Sequence, residues 1–146
     1  MKQLKKFEEF LSLGTVWKQN KDIERAKSLV SEVEDKFNFF KRVKEKMGID
    51  DLSPNFVVET CYDILLELIR AKLLFEGYVS DSHEAEVSFM RNLGFNEGDV
   101  IFMNGLRYHR NGIKYYGKRF EQEYSGKVLG FLEKIYSRLS KEVKSD

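Results

Sequence analysis

An all-α antiparallel helical bundle, four to five main helices after a short N-terminal one, is the fold class that this sequence predicts. Three observations carry that expectation. Apolar residues recur at spacings of three and four, strand-like alternation is nearly absent, and Pro54 is the one proline in 146 residues. Helix above roughly 65% of residues with no sheet is expected, against about a third in an average globular protein.

The elements follow in order. Residues 2 to 13 set Leu4, Phe7, Phe10 and Leu11 on one side, and Gly14 is the stop. From 19 to 47, Ile23, Ala26, Val30, Val33, Phe37, Phe40 and Met47 form the seam of an antiparallel bundle or a short coiled coil. Ser53 is the N-cap and Pro54 the first residue of a helix that Gly77 ends. On that helix Glu59, Thr60, Asp63, Glu67 and Arg70 fill an arc of about 100°, and nearly all else is apolar, so other helices must surround it. A shorter helix follows, capped by Asp81 or Ser82, with Glu84 and Glu86 in its first turn and Gly94 after its end. Asn96 opens a helix that runs to about Gly117. The last spans 121 to 142, with Tyr124, Val128, Phe131, Leu132, Ile135 and Leu139 facing inward. Residues 1–146 read as one domain, without repeat, linker or low-complexity tract. The aromatics of "FNFFKR", with Phe10 and Trp17, read as core.

Composition removes several function classes. Twenty-five Lys and Arg against 24 Asp and Glu leave no global attraction to nucleic acid, only a local one. The single cysteine, Cys61, allows no internal disulfide and no cysteine-based zinc site, and sits on the buried helix as a small hydrophobe. Two distant histidines, His83 and His109, make no metal set, so neither metal nor cofactor is expected. His83, in a first helical turn, suits capping or binding equally. No signal-peptide run or membrane span is present, which reads as a cytoplasmic protein with no membrane partner. Serine-nucleophile, phosphate-loop and dinucleotide motifs are absent.

The chemistry concentrates in "GLRYHRNGIKYYGKRF", residues 105 to 120, which holds five basic residues, four aromatics and no acid. With Arg107 at 0° on a helical wheel, Arg110, Lys114 and Lys118 fall at about 300°, 340° and 20°. Phe102, Leu106, His109, Ile113 and Tyr116 make the core face, so His109 reads first as a packed histidine. Asn111 and Tyr115 lie on the far side of the stripe. Arg forks bind phosphate bidentately and tyrosines stack on bases, so Arg107, Arg110, Asn111, Lys114, Tyr115 and Lys118 are the candidate nucleotide- or RNA-binding residues. The opposing reading pairs the stripe internally with Glu59, Asp63 and Glu67. Gly98, Gly105 and Gly112, seven apart, leave a groove for a second helix, from this chain or from another copy.

At "LRYHRNGIKYYG" the sequence resembles the HEPN family of small α-helical bundles, over roughly residues 54 to 140. The buried helix ending "AKLLFEGY", then "SHEAEVSF", then an Arg-Asn pair late in a long helix, occur in the order such domains use. In that family an Arg and a His with four to six residues between them form a metal-independent ribonuclease site. Arg110 and Asn111 match the start of that motif, but Tyr115 stands where the His belongs, and no other Arg–His pair fits. Tyrosine, with a pKa near 10, is a poor proton acceptor where histidine near 6.5 serves. The resemblance therefore implies a non-enzymatic interaction module for a nucleotide, RNA or partner protein. The alternative is a divergent ribonuclease using Arg110 with Tyr115 or His109. It also implies a homodimer, and a nucleotidyltransferase partner in a toxin–antitoxin type of system.

Overall fold

Described over residues 3–144, the computed structural model orders its elements as α1 (Phe7–Leu13), β1 (Val16–Lys18), α2 (Ile23–Met47), α3 (Pro54–Glu76), β2 (Tyr78–Ser80), α4 (His83–Ser88), α5 (Glu97–Tyr116) and α6 (Gln122–Lys144). Short 3-10 turns at Ile49–Asp51 and Phe89–Arg91 follow α2 and α4. Helix, with the 3-10 turns, makes up 77% of the described residues, as the sequence predicts.

α3 is the centre. Ser53 accepts a hydrogen bond from the Phe56 N–H at 3.4 Å, and Pro54 has no N–H to leave unpaired at the first turn. Between Val57 and Leu74 the arc Glu59, Thr60, Asp63, Glu67 and Arg70 is half-buried, and every other side chain is buried. α2 and α6 pack along its length, while α4 and α5 cover the remaining sides. Each buried Leu or Ile contributes about 1.5–3 kcal/mol on transfer from water, so a charge at Leu68, fully buried, would break the core. Cys61 is a packed hydrophobe there, and burial pushes its thiol up to about 12.

The sheetless expectation fails in one place. β1 and β2 pair antiparallel, with Val16 opposite Ser80, Trp17 opposite Val79 and Lys18 opposite Tyr78. Three residues are too few to show alternation, and their partners lie sixty or more residues away, so no local signal announces the pairing. Gly77 makes it geometrically possible. Its φ of +84° turns the chain out of α3, and a Cβ there would stand 2.7 Å from the Gln19 carbonyl oxygen.

Other boundaries shift for identifiable reasons. The predicted first helix begins at residue 2, outside the described residues, and the helix itself starts at Phe7, although Leu4 is buried without being helical. Asp22 caps α2 by accepting from the Arg25 N–H at 3.2 Å, so this helix starts after residue 19. Ile23 and Met47, predicted in its seam, are exposed because they sit at its ends, where no helix faces them. Ser82 rather than Asp81 caps α4, accepting from the Ala85 N–H at 3.2 Å. Phe39 and Trp17 are 58% and 42% exposed, not core, whereas Phe40 and Phe10 are buried.

Candidate anion-binding site

Asn96 opens α5 by accepting from the Asp99 N–H at 2.8 Å, with acids Glu97 and Asp99 in the first turn. Val100, Met103 and Leu106 are fully buried and fix the helix's rotation. That rotation turns Arg107 and Arg110 toward α3 and α4, where their side chains are only 15% and 17% exposed.

Both arginines find acids, but loosely. Arg107 stands 3.8 Å from Glu84 of α4 and donates through Nε to Asn104 Oδ1 at 3.0 Å. Arg110 stands 3.7 Å from Asp63 of α3. Neither ion pair is within hydrogen-bonding distance. Burial pushes the Asp63 carboxyl up, more than Arg110 draws it down. Of the predicted acidic partners, Asp63 alone meets the stripe. Glu67 accepts instead from Lys36 of α2 at 2.6 Å.

Beneath the arginines lies Tyr62, fully buried, whose hydroxyl has no protein hydrogen-bond partner. Burial drives its phenol far above the ordinary value, against the charges of Arg107 and Arg110, so it stays a neutral O–H donor. Arg110 Nε is likewise buried with no partner. The ring of His83, first residue of α4, lies 6.4 Å from the Tyr62 ring. Burial, then the charges of Arg70, Arg110, Arg107 and Lys114, hold His83 below the usual imidazole value, so it is neutral at pH 7. Arg70 is committed elsewhere, donating through Nε and Nη2 to Glu86 at 2.9 and 3.2 Å, with Glu86 almost wholly buried.

The structure thus gathers Arg107, Arg110 and Lys114 with Tyr62, Asp63, His83 and Glu84. It does not gather the other predicted residues. Gly117, at φ +65°, ends α5 and reverses the chain, so Lys118 leaves the helical stripe and folds back over Gly112. Its Nζ lies 6.0 Å over the Tyr108 ring. Tyr115 is 65% exposed, with Lys114 Nζ 5.5 Å over its ring. Asn111 is half-buried and joins none of these contacts. His109 packs edge-on against Phe120, Tyr124 and Tyr108 at 4.9, 5.0 and 5.7 Å, as a core-face histidine should. Tyr116, expected on that face, is 84% exposed because α5 ends with it.

Sequence reasoning missed Tyr62 and left His83 undecided. A hydroxyl on a helix otherwise apolar at that angle was the available signal for Tyr62. For His83, proximity to α5 comes only from tertiary packing. The internal reading of the glycine groove is also overturned. A Cβ at Gly105 would meet nothing within 4 Å, Gly112 faces the Lys118 side chain at 3.1 Å, and Gly98 faces the Asn96 cap at 3.2 Å. Ile101 and Tyr108, four residues before and three after Gly105, are exposed beside it. Among the described residues no helix is long and apolar enough to cross a membrane. Comparison with protein-family models, curated proteins and solved structures gives no match for this chain.

Proposed function

We propose that this protein is a HEPN-like interaction module whose α5 side binds the phosphate groups of RNA or of a nucleotide without cleaving them. The supporting observation is the pair of buried donors, Tyr62 O–H and Arg110 Nε–H, left without protein acceptors under two loosely paired arginines. A buried donor without a partner costs about 1–3 kcal/mol. The arginines cover these donors, so a phosphate reaches them only as the guanidinium groups swing outward; its oxygen then offers the missing acceptor, and its charge competes with Asp63 and Glu84 for those groups. Lys114, exposed one turn beyond Arg110, extends the attraction outward. In this reading the unit is a cytoplasmic homodimer joined at the exposed Ile101, Gly105 and Tyr108 face of α5, with a nucleotidyltransferase as the partner that the family resemblance suggests.

Fluorescence anisotropy with a labelled single-stranded RNA tests it. Three phosphate contacts give a salt slope of about −2 on logarithmic axes. Removing Arg107, Arg110 and Lys114 together should flatten that slope and weaken binding. Tyr62→Phe should weaken binding while leaving the melting temperature unchanged or higher. Unchanged affinity in both variants would sink the proposal, and binding to an acidic protein alone would replace RNA as the ligand.

A ribonuclease remains the second reading, and a specific observation favours a modified form of it. Tyr115 and His109 face away from Arg110, whereas His83 is a neutral imidazole within the field of the same arginines. Cleavage at the 2′-hydroxyl would then use His83 as base and Arg110 on the phosphorane charge. RNA degradation in EDTA that disappears in both His83→Ala and Arg110→Ala variants would establish it.

A further inference from the structure

A second site lies on a face that shares no residue with the α3, α4 and α5 cluster. α2 and α6 both pack on α3, and between them runs a furrow of about 600 Å³. That volume falls within the roughly 300–1,000 Å³ typical of small-molecule sites. Its walls are apolar: Phe40, Leu129 and Leu132 are buried in its floor, and Phe37 stacks on Tyr136 with ring centroids 3.7 Å apart. Its rim is cationic. Lys41, Lys44, Lys141 and Lys144 line it against a single acid, Glu133.

Two of those lysines are already paired across the furrow. Lys44 binds Glu133 at 3.2 Å, and Lys144 binds Glu34 at 3.2 Å. These bridges join α2 to α6 at residues on either side of Phe37 and Phe40, so each marks one end of the furrow. Lys141 has no acid partner among the described residues, and Lys41 only leans over the Phe37 ring at 5.5 Å. A docking helix would have to break both bridges, whereas a small molecule fits between them. We propose that this furrow binds a small anionic amphiphile, an aromatic or aliphatic carboxylate or sulfonate, with its apolar body on Phe40, Leu132 and Tyr136 and its charge between Lys41 and Lys141. Lysine stems lie along apolar surface while their heads stay in water, so the rim also lengthens the apolar wall.

The test uses the whole chain and 8-anilinonaphthalene-1-sulfonate, an aromatic sulfonate whose emission rises and shifts to the blue in apolar surroundings. Binding should saturate at one probe per chain. Dodecanoate should displace it, and dodecyltrimethylammonium, of equal chain length and opposite charge, should not. Lys41→Glu with Lys141→Glu should weaken binding about tenfold or more, since a charge-assisted contact becomes a repulsion. Ser137 is exposed on the furrow wall, so Ser137→Trp should fill the space and abolish binding with the melting temperature kept. Equal displacement by the cationic amphiphile, or full binding in both variants, would overturn the proposal. So would a dimer that Ser137→Trp dissolves, because a second copy would then occupy the furrow.

Discussion

His109 shows what a single residue carries in this protein. Its Nδ1 is buried without a hydrogen-bond partner inside a ring of three aromatics. Burial, then the charge of Lys118, holds its pKa below 6.5, and His83 shifts the same way. The unfolded chain therefore protonates first as pH falls. Stability is complete above about 6.5 and declines as pH drops from there toward the folded values. Asp63 and Glu86, whose carboxyls are raised, act oppositely, but nearer their own range at lower pH. His109→Phe keeps the ring contacts and removes the unsatisfied nitrogen. We expect a gain of about 1 kcal/mol and a shallower loss of stability between pH 7 and about 5.5. Thermal melts at both pH values check this, and a destabilised variant with the same pH dependence would contradict it. That His109 packs on the core face was legible from the wheel. Two of its three ring neighbours were not, because Phe120 and Tyr124 reach it only through the turn at Gly117.

At the scale of elements, α3 and α4 are joined by one charged contact. Arg70 binds Glu86 through two nitrogens, and Glu86 is 1% exposed. Removing one partner of a fully buried pair costs about 3–5 kcal/mol, and here, with Arg70 35% exposed, the cost is smaller; replacing both with apolar groups is often neutral. Arg70→Met alone should lower the denaturation midpoint, and adding Glu86→Leu should recover most of the loss. A double variant as unstable as the single one would show that the contact is not the cause. α6 offers the opposite case. Gly126 and Gly130 are exposed, helical, and have open space where a Cβ would sit. Alanine at either should add about 0.5–1 kcal/mol, or roughly 3 °C in melting temperature for a chain of this length. Lower melting temperatures in both variants would mean that a partner approaches this face. Helices were readable because caps and periodicity are local: Ser53, Ser82 and Asn96 each do what their position announces. The two strands were not readable, since their stability comes from each other.

For the whole molecule, the central fact is that α3 is enclosed by four helices. Its amides should therefore exchange with solvent more slowly than those of any other element, and only through global unfolding. Hydrogen exchange followed by mass spectrometry measures this directly, and equally fast exchange in α3 and α1 would contradict it. The centrality of α3 could be read from its nearly continuous apolar surface. Which helices flank which side could not, and the candidate site depends on that choice. Arg110 was legible as a candidate, but Tyr62 and His83 become its neighbours only once α4 and α5 lie on the same edge of α3. The furrow between α2 and α6 is likewise a property of the assembly, since neither helix carries it alone.

The β1–β2 pairing has a kinetic meaning. It joins the chain's first twenty residues to the segment after α3, and Arg91 reinforces it by donating to the Leu4 and Lys5 carbonyls at 3.1 and 2.8 Å. Closing a loop of some sixty residues costs entropy before any contact repays it, and three residue pairs repay little of it, so we expect the five-helix core to assemble first and the N-terminal segment to dock late. Contacts that form after the rate-limiting step affect the rate of unfolding and leave folding almost unchanged. Val16, 1% exposed beneath this junction, reports on that order of events. In stopped-flow experiments Val16→Ala should steepen the loss of native protein with no change in the refolding arm. The small sheet is then a latch on an already folded bundle, and its strength sets how long the molecule stays closed.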